Sequence, residues 1–534
     1  MKNRIFGATV ALIAAANLAF VGGTAGAATS TDYAPQLVYT VADSGINENN
    51  NLAIDGLVSF GDKVAFTNSQ DSTLWVSDGT TAGTHSLEDD LVALDVTMVE
   101  IQRDSGNTYS VDANGSLVFW GFDDVLNTWE LFKTDGSTVT QLTDDLDGYG
   151  SIYFLDGTIY AHFGEFAAID PSTGSVVTIE NNYDCSAYDG PRDVVELNGK
   201  ILFTYDDDNC DEQIGVWDPA NAAGPSNPLY ITPSSGGLGE DSNDGDYLDW
   251  DVPSFFVHDG LAYFYAYGND GSNSIGVEPF VTDGTQAGTE LLKDIYVGSD
   301  DSRAANTSQL TYTLFNNEIY FYAYDGNDDL LYKTDGTSAG TVEVPMGDFT
   351  DPGDNSEGPG TILNGKMIVT FDVSGKGDDW YATDGTSAGT ESLLSADLTV
   401  SSDGNACWDD CTPAVLFDDH AFFMAYDGEV NAIWVSDGTQ AGTEPVTDAA
   451  FAVSEYAISD YIEDAPLVVA GDNLYFAVSD WDAEAGVADR SALYKIGPSG
   501  LAETGVDASG SMWAGLGLLV AGVAVVATRR RFVK

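Results

Sequence analysis

The sequence predicts an all-β fold, a β-propeller of repeated four-stranded antiparallel blades, about eight or nine of them. Three observations predict it. A phrase of an aromatic, two further residues and Asp-Gly-Thr/Ser recurs at a spacing of about 50 residues, a period that signals arrays or propellers. A two-residue turn followed by an apolar strand recurs in step with it. Each turn-to-turn unit holds four short strand-like runs.

The phrase stands at Trp75 to Asp78-Gly79-Thr80, Phe132 to Asp135-Gly136-Ser137 and Phe280 to Asp283-Gly284-Thr285. It returns at Tyr332 to Asp335-Gly336-Thr337, Tyr381 to Asp384-Gly385-Thr386 and Trp434 to Asp437-Gly438-Thr439. Asp at the head of a turn accepts hydrogen bonds from N–H groups two or more residues on. Gly supplies a positive φ, and Thr resumes the strand. The aromatic three residues before Asp falls on the opposite face of a period-2 strand, so it can pack between blades while Asp points into the turn. Regular recurrence makes Asp78, Asp135, Asp283, Asp335, Asp384 and Asp437 structural turn residues.

The turns are Gly61-Asp62, Asn114-Gly115, Asp156-Gly157, Asn198-Gly199, Asp259-Gly260, Asn316-Asn317, Asn364-Gly365, Asp418-Asp419 and Gly471-Asp472. Asn-Gly and Asp-Gly suit type I′ hairpins. Runs such as Leu117-Val118-Phe119-Trp120 and Ile319-Tyr320-Phe321-Tyr322 follow them and read as strands. In 254–295 the four strands are expected at Ser254 to His258, Leu261 to Tyr267, Glu278 to Thr282 and Thr289 to Ile295. Two units lose the phrase and end at Asp170-Pro171 and Asp218-Pro219; the last ends at Tyr494-Lys495-Ile496-Gly497 without a fourth strand. Gln36-Leu37-Val38-Tyr39-Thr40-Val41 resembles a fourth strand and is expected to complete that last blade, removing a free sheet edge. Nine units exceed the usual 4–8 blades. One unit inserted, an array split in two, or an open solenoid are the alternatives.

The phrase is similar to the ELWxxDGT repeat of bacterial secreted proteins. Glu130-Leu131-Phe132-Lys133-Thr134-Asp135-Gly136 is the best match to its first half, and Gly288-Thr289 and its counterparts match the second. Glu and Leu are often replaced, as in Asp379-Trp380-Tyr381. The resemblance spans roughly residues 35–497 and implies export rather than a defined activity.

Residues 1–27 read as a secretory signal: Lys2 and Arg4, an apolar stretch from Ile5 to Phe20, and cleavage at Ala25-Gly26-Ala27. Residues 28–500 are the repeat domain. In 501–534, Leu501-Ala502-Glu503-Thr504-Gly505 precedes an apolar run from Met512 to Ala527 and then Arg529, Arg530, Arg531 and Lys534. This resembles a sortase cell-wall sorting signal of the Leu-Ala-x-Thr-Gly form found in high-GC Gram-positive bacteria. The resemblance implies attack of a transpeptidase Cys on the Thr504 carbonyl and transfer of that acyl group to a peptidoglycan amine. Sortase and peptidoglycan are thus the implied partners, and the only membrane contact is the C-terminal segment before sorting. A permanent C-terminal anchor is the alternative. Only Gly497-Pro498-Ser499-Gly500 separates Ile496 from Leu501, a reach of at most ~14 Å, which places the ring against the wall.

Between the two processed ends lie 12 Lys/Arg and 85 Asp/Glu, a net charge near −73. That field repels nucleic acid and anionic lipid and favours cations or a salty medium. With 43% hydrophobic and 11% aromatic residues the chain can nevertheless bury a large core. Four cysteines in an oxidising location allow three pairings, of which local spacing favours Cys185–Cys210 with Cys407–Cys411. Acidic loops are the candidate metal sites, with Ca²⁺ as the cation they suit. Asp144 and Asp147 lie in one; Asp241, Asn243 and Asp246 lie in another. His85, His162, His258 and His420 are scattered, and no GxSxG, HExxH or P-loop phrase is present. Long loops in 143–252, where the repeat is most degenerate, are the first place to look for a partner site. The expectation is a wall-anchored, non-catalytic propeller that binds a protein, glycan or cation. An extracellular carbohydrate-active hydrolase or lyase, or an acidic structural coat protein, are the other classes the sequence admits.

Overall fold

The nine predicted turns become nine four-stranded antiparallel sheets arranged as the blades of one β-propeller. A computed structural model describes residues 33–497 apart from 42–53, 69–72, 102, 105–106, 145, 147, 181–192, 207–211, 222–228, 232–254, 270–273, 304–311, 348, 350–359, 374–376, 395–413, 427–430, 447–466 and 483–486. Seven turns carry positive φ at both central residues, from Asn114 at 59° and Gly115 at 84° to Asp418 at 49° and Asp419 at 60°. That is the type I′ twist matching the flanking strands. At the other two turns the positive φ belongs to Gly61 and Gly471.

Blade 5 shows the unit: Phe256–His258, Leu261–Asn269, Ser274–Thr282 and Glu290–Leu291, in that spatial order. The first strands of adjacent blades approach one another, which puts them around the axis and the fourth strands at the rim. The expected fourth strand over Thr289 to Ile295 shrinks to two residues. Its remaining donors find other acceptors: the Leu292 amide donates to the Pro279 carbonyl at 2.9 Å, and the Ile295 amide to the Glu278 carboxylate at 2.8 Å.

Middle strands are apolar without alternation because each blade buries both faces. In Leu117–Asp123, Leu117 and Phe119 join the core shared with blade 1, while Val118 and Trp120 join the core shared with blade 3. Nine such cores occupy the nine blade junctions. All six phrase aromatics pack toward the preceding blade, as expected from their register: Trp75, Phe132, Phe280, Tyr332, Tyr381 and Trp434.

The ring is closed. Gln36–Val41 pairs antiparallel with Val487–Ile496, Gln36 opposite Lys495 and Val41 opposite Ser491, and is the fourth strand of blade 9. Val38, Ile54, Phe66, Tyr475 and Leu493 then share the core between blades 9 and 1. Tyr33, 4% exposed, extends this tie to blade 8 through its hydroxyl and the Nδ1 of His420, 3.0 Å apart.

Two features depart from the expected regularity. The first strand of blade 2 is in two pieces, Val96–Glu100 and Ser110–Asp112, both paired with Leu117–Asp123. A small hairpin, Arg103–Asp104 with Asn107–Thr108, projects from the break on the axial edge. The Ser110 hydroxyl donates to the Ile101 carbonyl at 2.9 Å and fastens its neck. The second feature is a helix, Glu88–Ala93, between blades 1 and 2, whose Asp90 accepts from the Val139 amide at 2.8 Å. Among the described residues no helix is long and apolar enough to cross a membrane.

Candidate functional site

Antiparallel alternation divides the loops between two faces. First-to-second turns and third-to-fourth loops, the latter carrying the Asp-Gly phrase, lie on one face. Second-to-third loops and blade connectors lie on the other.

On the phrase face the carboxylates of the Asp-Gly loops are satisfied within the scaffold. Asp78, Asp283, Asp335, Asp384 and Asp437 each accept from the amide of the Thr two residues on at 2.9–3.0 Å and from its hydroxyl at 2.6–2.7 Å. Asp135 accepts from the Ser137 amide at 2.8 Å. The hydroxyl bond from Thr80 holds the Asp78 carboxyl below its ordinary range, as Thr337 does for Asp335; the Ser137 amide does so for Asp135. A Cβ on Gly83, Gly288, Gly340, Gly389 or Gly442 would overlap that same carboxylate, which explains the Gly of the Ala-Gly-Thr half. The Gly after Asp abuts the preceding blade: a Cβ on Gly336 would lie 2.7 Å from the Tyr263 hydroxyl.

A further invariant of the phrase escaped the sequence reading. The residue before Asp is always Ser or Thr (Ser77, Thr134, Thr282, Thr334, Thr383, Ser436), and each is buried. Its oxygen accepts from the following Gly amide, as at Gly284 to Thr282, 3.0 Å. In five copies it also meets the last Thr of the loop at 2.7–2.8 Å. The two units expected to lack the phrase keep its Asp turn. Asp170 accepts from the Ser172 amide at 2.7 Å, and Asp218 from the Ala220 amide at 2.9 Å, with Pro replacing Gly.

The connector face is irregular, and one connector there presents an aromatic side chain. After blade 2 the chain runs from Leu142 to Ser151. Buried Glu130 pins its start, accepting from the Thr143 hydroxyl at 2.9 Å and the Leu146 amide at 3.0 Å. Trp120 pins its end, its Nε1–H donating to the Gly150 carbonyl at 2.7 Å. Between these anchors Tyr149 sits between two glycines. Gly148 has φ 129°, and a Cβ there would be 3.2 Å from the Phe163 backbone. A Cβ on Gly150 would be 2.9 Å from His162 Nδ1. The backbone is pressed so closely onto blade 3 that only Gly fits on either side, and the Tyr149 ring is directed outward.

That ring is backed by others. Its centroid is 4.4 Å from Trp129 at an interplanar angle of 33° and 5.6 Å from Tyr109 at 45°; Phe122 lies 5.5 Å from Trp129. Phe122 is also the cross-strand neighbour of Met98. Tyr149 is 44% exposed, the one aromatic among the described residues to be so open, and Met98, Val125 and Leu126 are exposed beside it. A Tyr between two glycines outside any strand run is the sequence signal for it, and it is independent of the repeat.

Of the other candidates, Asp144 is exposed in this same connector, and among the described residues no cluster of three or more metal-ligating side chains occurs. Asp147, Asp241, Asn243 and Asp246 lie outside the described residues, as do Cys185, Cys210, Cys407, Cys411, Ala25, Ala27 and Leu501 to Gly505. The histidines serve packing and loop ties. His85 bridges the Gly83 and Gly136 carbonyls at 3.1 and 3.0 Å, and burial lowers His162 to about 4. Glu278 is the blade 5 counterpart of Glu130, with burial raising it to about 8 against the pull of the Ile295 amide.

Fold and loops define a nine-bladed, closed β-propeller with a regular scaffold face and an irregular connector face. Neither a protein-family model nor a curated protein matches the sequence. Among solved structures, the chain is similar to the β-propeller domain of the Trilobed protease from Pyrococcus furiosus. Identity there is 11%, with 64% of this chain and 98% of that chain covered and a TM-score of 0.32. It is also similar to Pyrococcus horikoshii acylaminoacyl peptidase (12% identity, 72% of this chain, 57% of that chain, TM-score 0.31) and to the tricorn protease (11%, 80%, 41%, 0.31).

Proposed function

We propose that the chain is an exported propeller, joined through Thr504 to peptidoglycan, that acts at the wall as a non-catalytic binding protein, with its ligand on the connector face. The observation that supports this is the contrast between the faces. The recurrent Asp, Thr and Gly chemistry is occupied within its own loops, whereas the connector after blade 2 holds an aromatic ring out to solvent on a fixed backbone. Sites of binding commonly sit on irregular loops carried by a rigid scaffold. The Leu501 to Gly505 phrase, the apolar run and the Arg cluster support the wall attachment.

Cell fractionation tests it. In the native cell, the chain is expected in the muramidase-released wall fraction, and Thr504→Ala is expected to move it to the membrane fraction. Undiminished wall attachment of Thr504→Ala would contradict the sortase route. Release of reducing ends from a polysaccharide by the purified protein would contradict the non-catalytic role.

A further inference from the structure

We infer that the platform formed by Tyr149, Trp129 and Tyr109 on the connector face is a stacking site for a neutral glycan; this deepens, and rests on, the binding role proposed above.

The site is built rather than incidental. Tyr149 is fixed by hydrogen bonds at both ends of its connector, from Leu146 to buried Glu130 and from Trp120 to Gly150. The flanking glycines let the backbone lie close on blade 3, where a Cβ would be 3.2 Å from the Phe163 backbone at Gly148 and 2.9 Å from His162 Nδ1 at Gly150. Trp129 and Tyr109 back the ring at 4.4 and 5.6 Å and are themselves half-buried against the core between blades 2 and 3. A ring held this way loses little conformational freedom when a ligand stacks on it.

The ligand class follows from shape and charge. At 4.4 Å and 33° the Tyr149 ring lies over the Trp129 indole and offers one open face to solvent, whereas a cage for an ammonium group needs walls around the cation. A flat apolar face edged with hydrogen-bond donors fits such a surface, and a pyranose ring is that object. Two exposed carboxylates belong to the same loops, Asp124 in the second-to-third loop of blade 2 and Asp144 in the connector itself. Ionised carboxylates only accept, so they suit sugar hydroxyls as donors. The chain's net charge of −68 repels anionic polymers, which leaves uncharged glycans over acidic ones. Positions in register with Trp129 are Val277, Asp329 and Asn431 in blades 5, 6 and 8, so those blades lack the indole that backs Tyr149.

Affinity electrophoresis of the full chain in gels containing a soluble β-1,4-glucan, an α-glucan or a galactomannan tests the inference. At least one polymer is expected to retard it. Tyr149→Ala should weaken that retardation on the order of tenfold, while Tyr149→Phe keeps it. Val297→Ala, an exposed apolar side chain in the blade 5 connector, should leave it unchanged. Matching near-ultraviolet circular dichroism of Tyr149→Ala and the parent separates lost stacking from lost folding. Full retardation of Tyr149→Ala would overturn the platform while leaving the binding role standing. No retardation by any polymer would overturn the glycan assignment. Tyr149-dependent quenching of tryptophan fluorescence by choline or polylysine, without retardation, would replace it with a cationic ligand.

Discussion

Single side chains in this protein act chiefly by satisfying one another. Thr282 is fully buried, accepts from the Gly284 amide and meets the Thr289 hydroxyl at 2.8 Å. Thr282→Val would strand the Gly284 amide and remove one hydrogen bond from Thr289, whose hydroxyl still donates to the Thr285 carbonyl, an expected cost of about 1–3 kcal/mol. Thr282→Ser should be nearly silent, because blades 1 and 8 carry Ser77 and Ser436 in the same role. Urea midpoints of the two variants check the difference. Glu278 and His162 predict a bounded pH range. Glu278 has its folded value raised to about 8 from 4.5, so its contribution is whole below 4.5 and is lost as pH rises through about 8. His162 has its folded value lowered to about 4 from 6.5, so its contribution is whole above 6.5 and is lost as pH falls toward 4. Melting temperatures should fall on both sides, Glu278→Gln flattening the alkaline decline and His162→Gln the acid one. Unchanged slopes would contradict the burial of these groups.

At the scale of loops and strands, the Asp-Gly phrase works as a unit. Gly340→Ala would drive a Cβ into the Asp335 carboxylate and break the turn that Thr337 closes. The expected loss is about 2–3 kcal/mol. Gly199→Ala meets open space and suffers only from its φ of 77°, so thermal melts should rank Gly340→Ala below it. Turn, aromatic and Asp positions were legible in the sequence because each depends on a residue type with a strong local preference. Other features were not legible. In blades 5 and 2 the fourth strand is short, and Glu278 and Glu130 accept from the Ile295 and Leu146 amides just beyond it. The first strand of blade 2 is interrupted by a hairpin whose polar Asp104-Ser105-Gly106-Asn107 stretch falls outside the landmarks that recur from unit to unit. Tyr149 matters through the blade 3 backbone that its flanking glycines lie against and through buried Trp120, which come close to it only in the fold. In blades 3 and 4, Pro171 and Pro219 disguised a turn that Asp170 and Asp218 still make.

For the whole molecule, closure and charge oppose each other. The strand Gln36–Val41 joins the two ends of the ring in blade 9, and Val38, 2% exposed, inserts into the junction with blade 1. Val38→Asp would place a charge in that core and should make the protein open at this junction first, detectable as hydrogen exchange in 487–496 that is faster than in 261–269. Equal protection of the two segments would mean that the closure carries no special burden. The net charge of −68 works against compactness everywhere. Raising NaCl from about 0.05 to 1 M shortens the Debye length from above 10 Å to about 3 Å and should raise the melting temperature. A flat salt response would mean that the acids are already neutralised by bound cations.

Electron-microscopy class averages viewed down the ring axis test the central claim most directly. The account predicts nine spokes in a continuous ring, with blades 9 and 1 in contact. Eight spokes, or a gap between the blade of Val468–Ala470 and the blade of Ile54–Phe60, would contradict it.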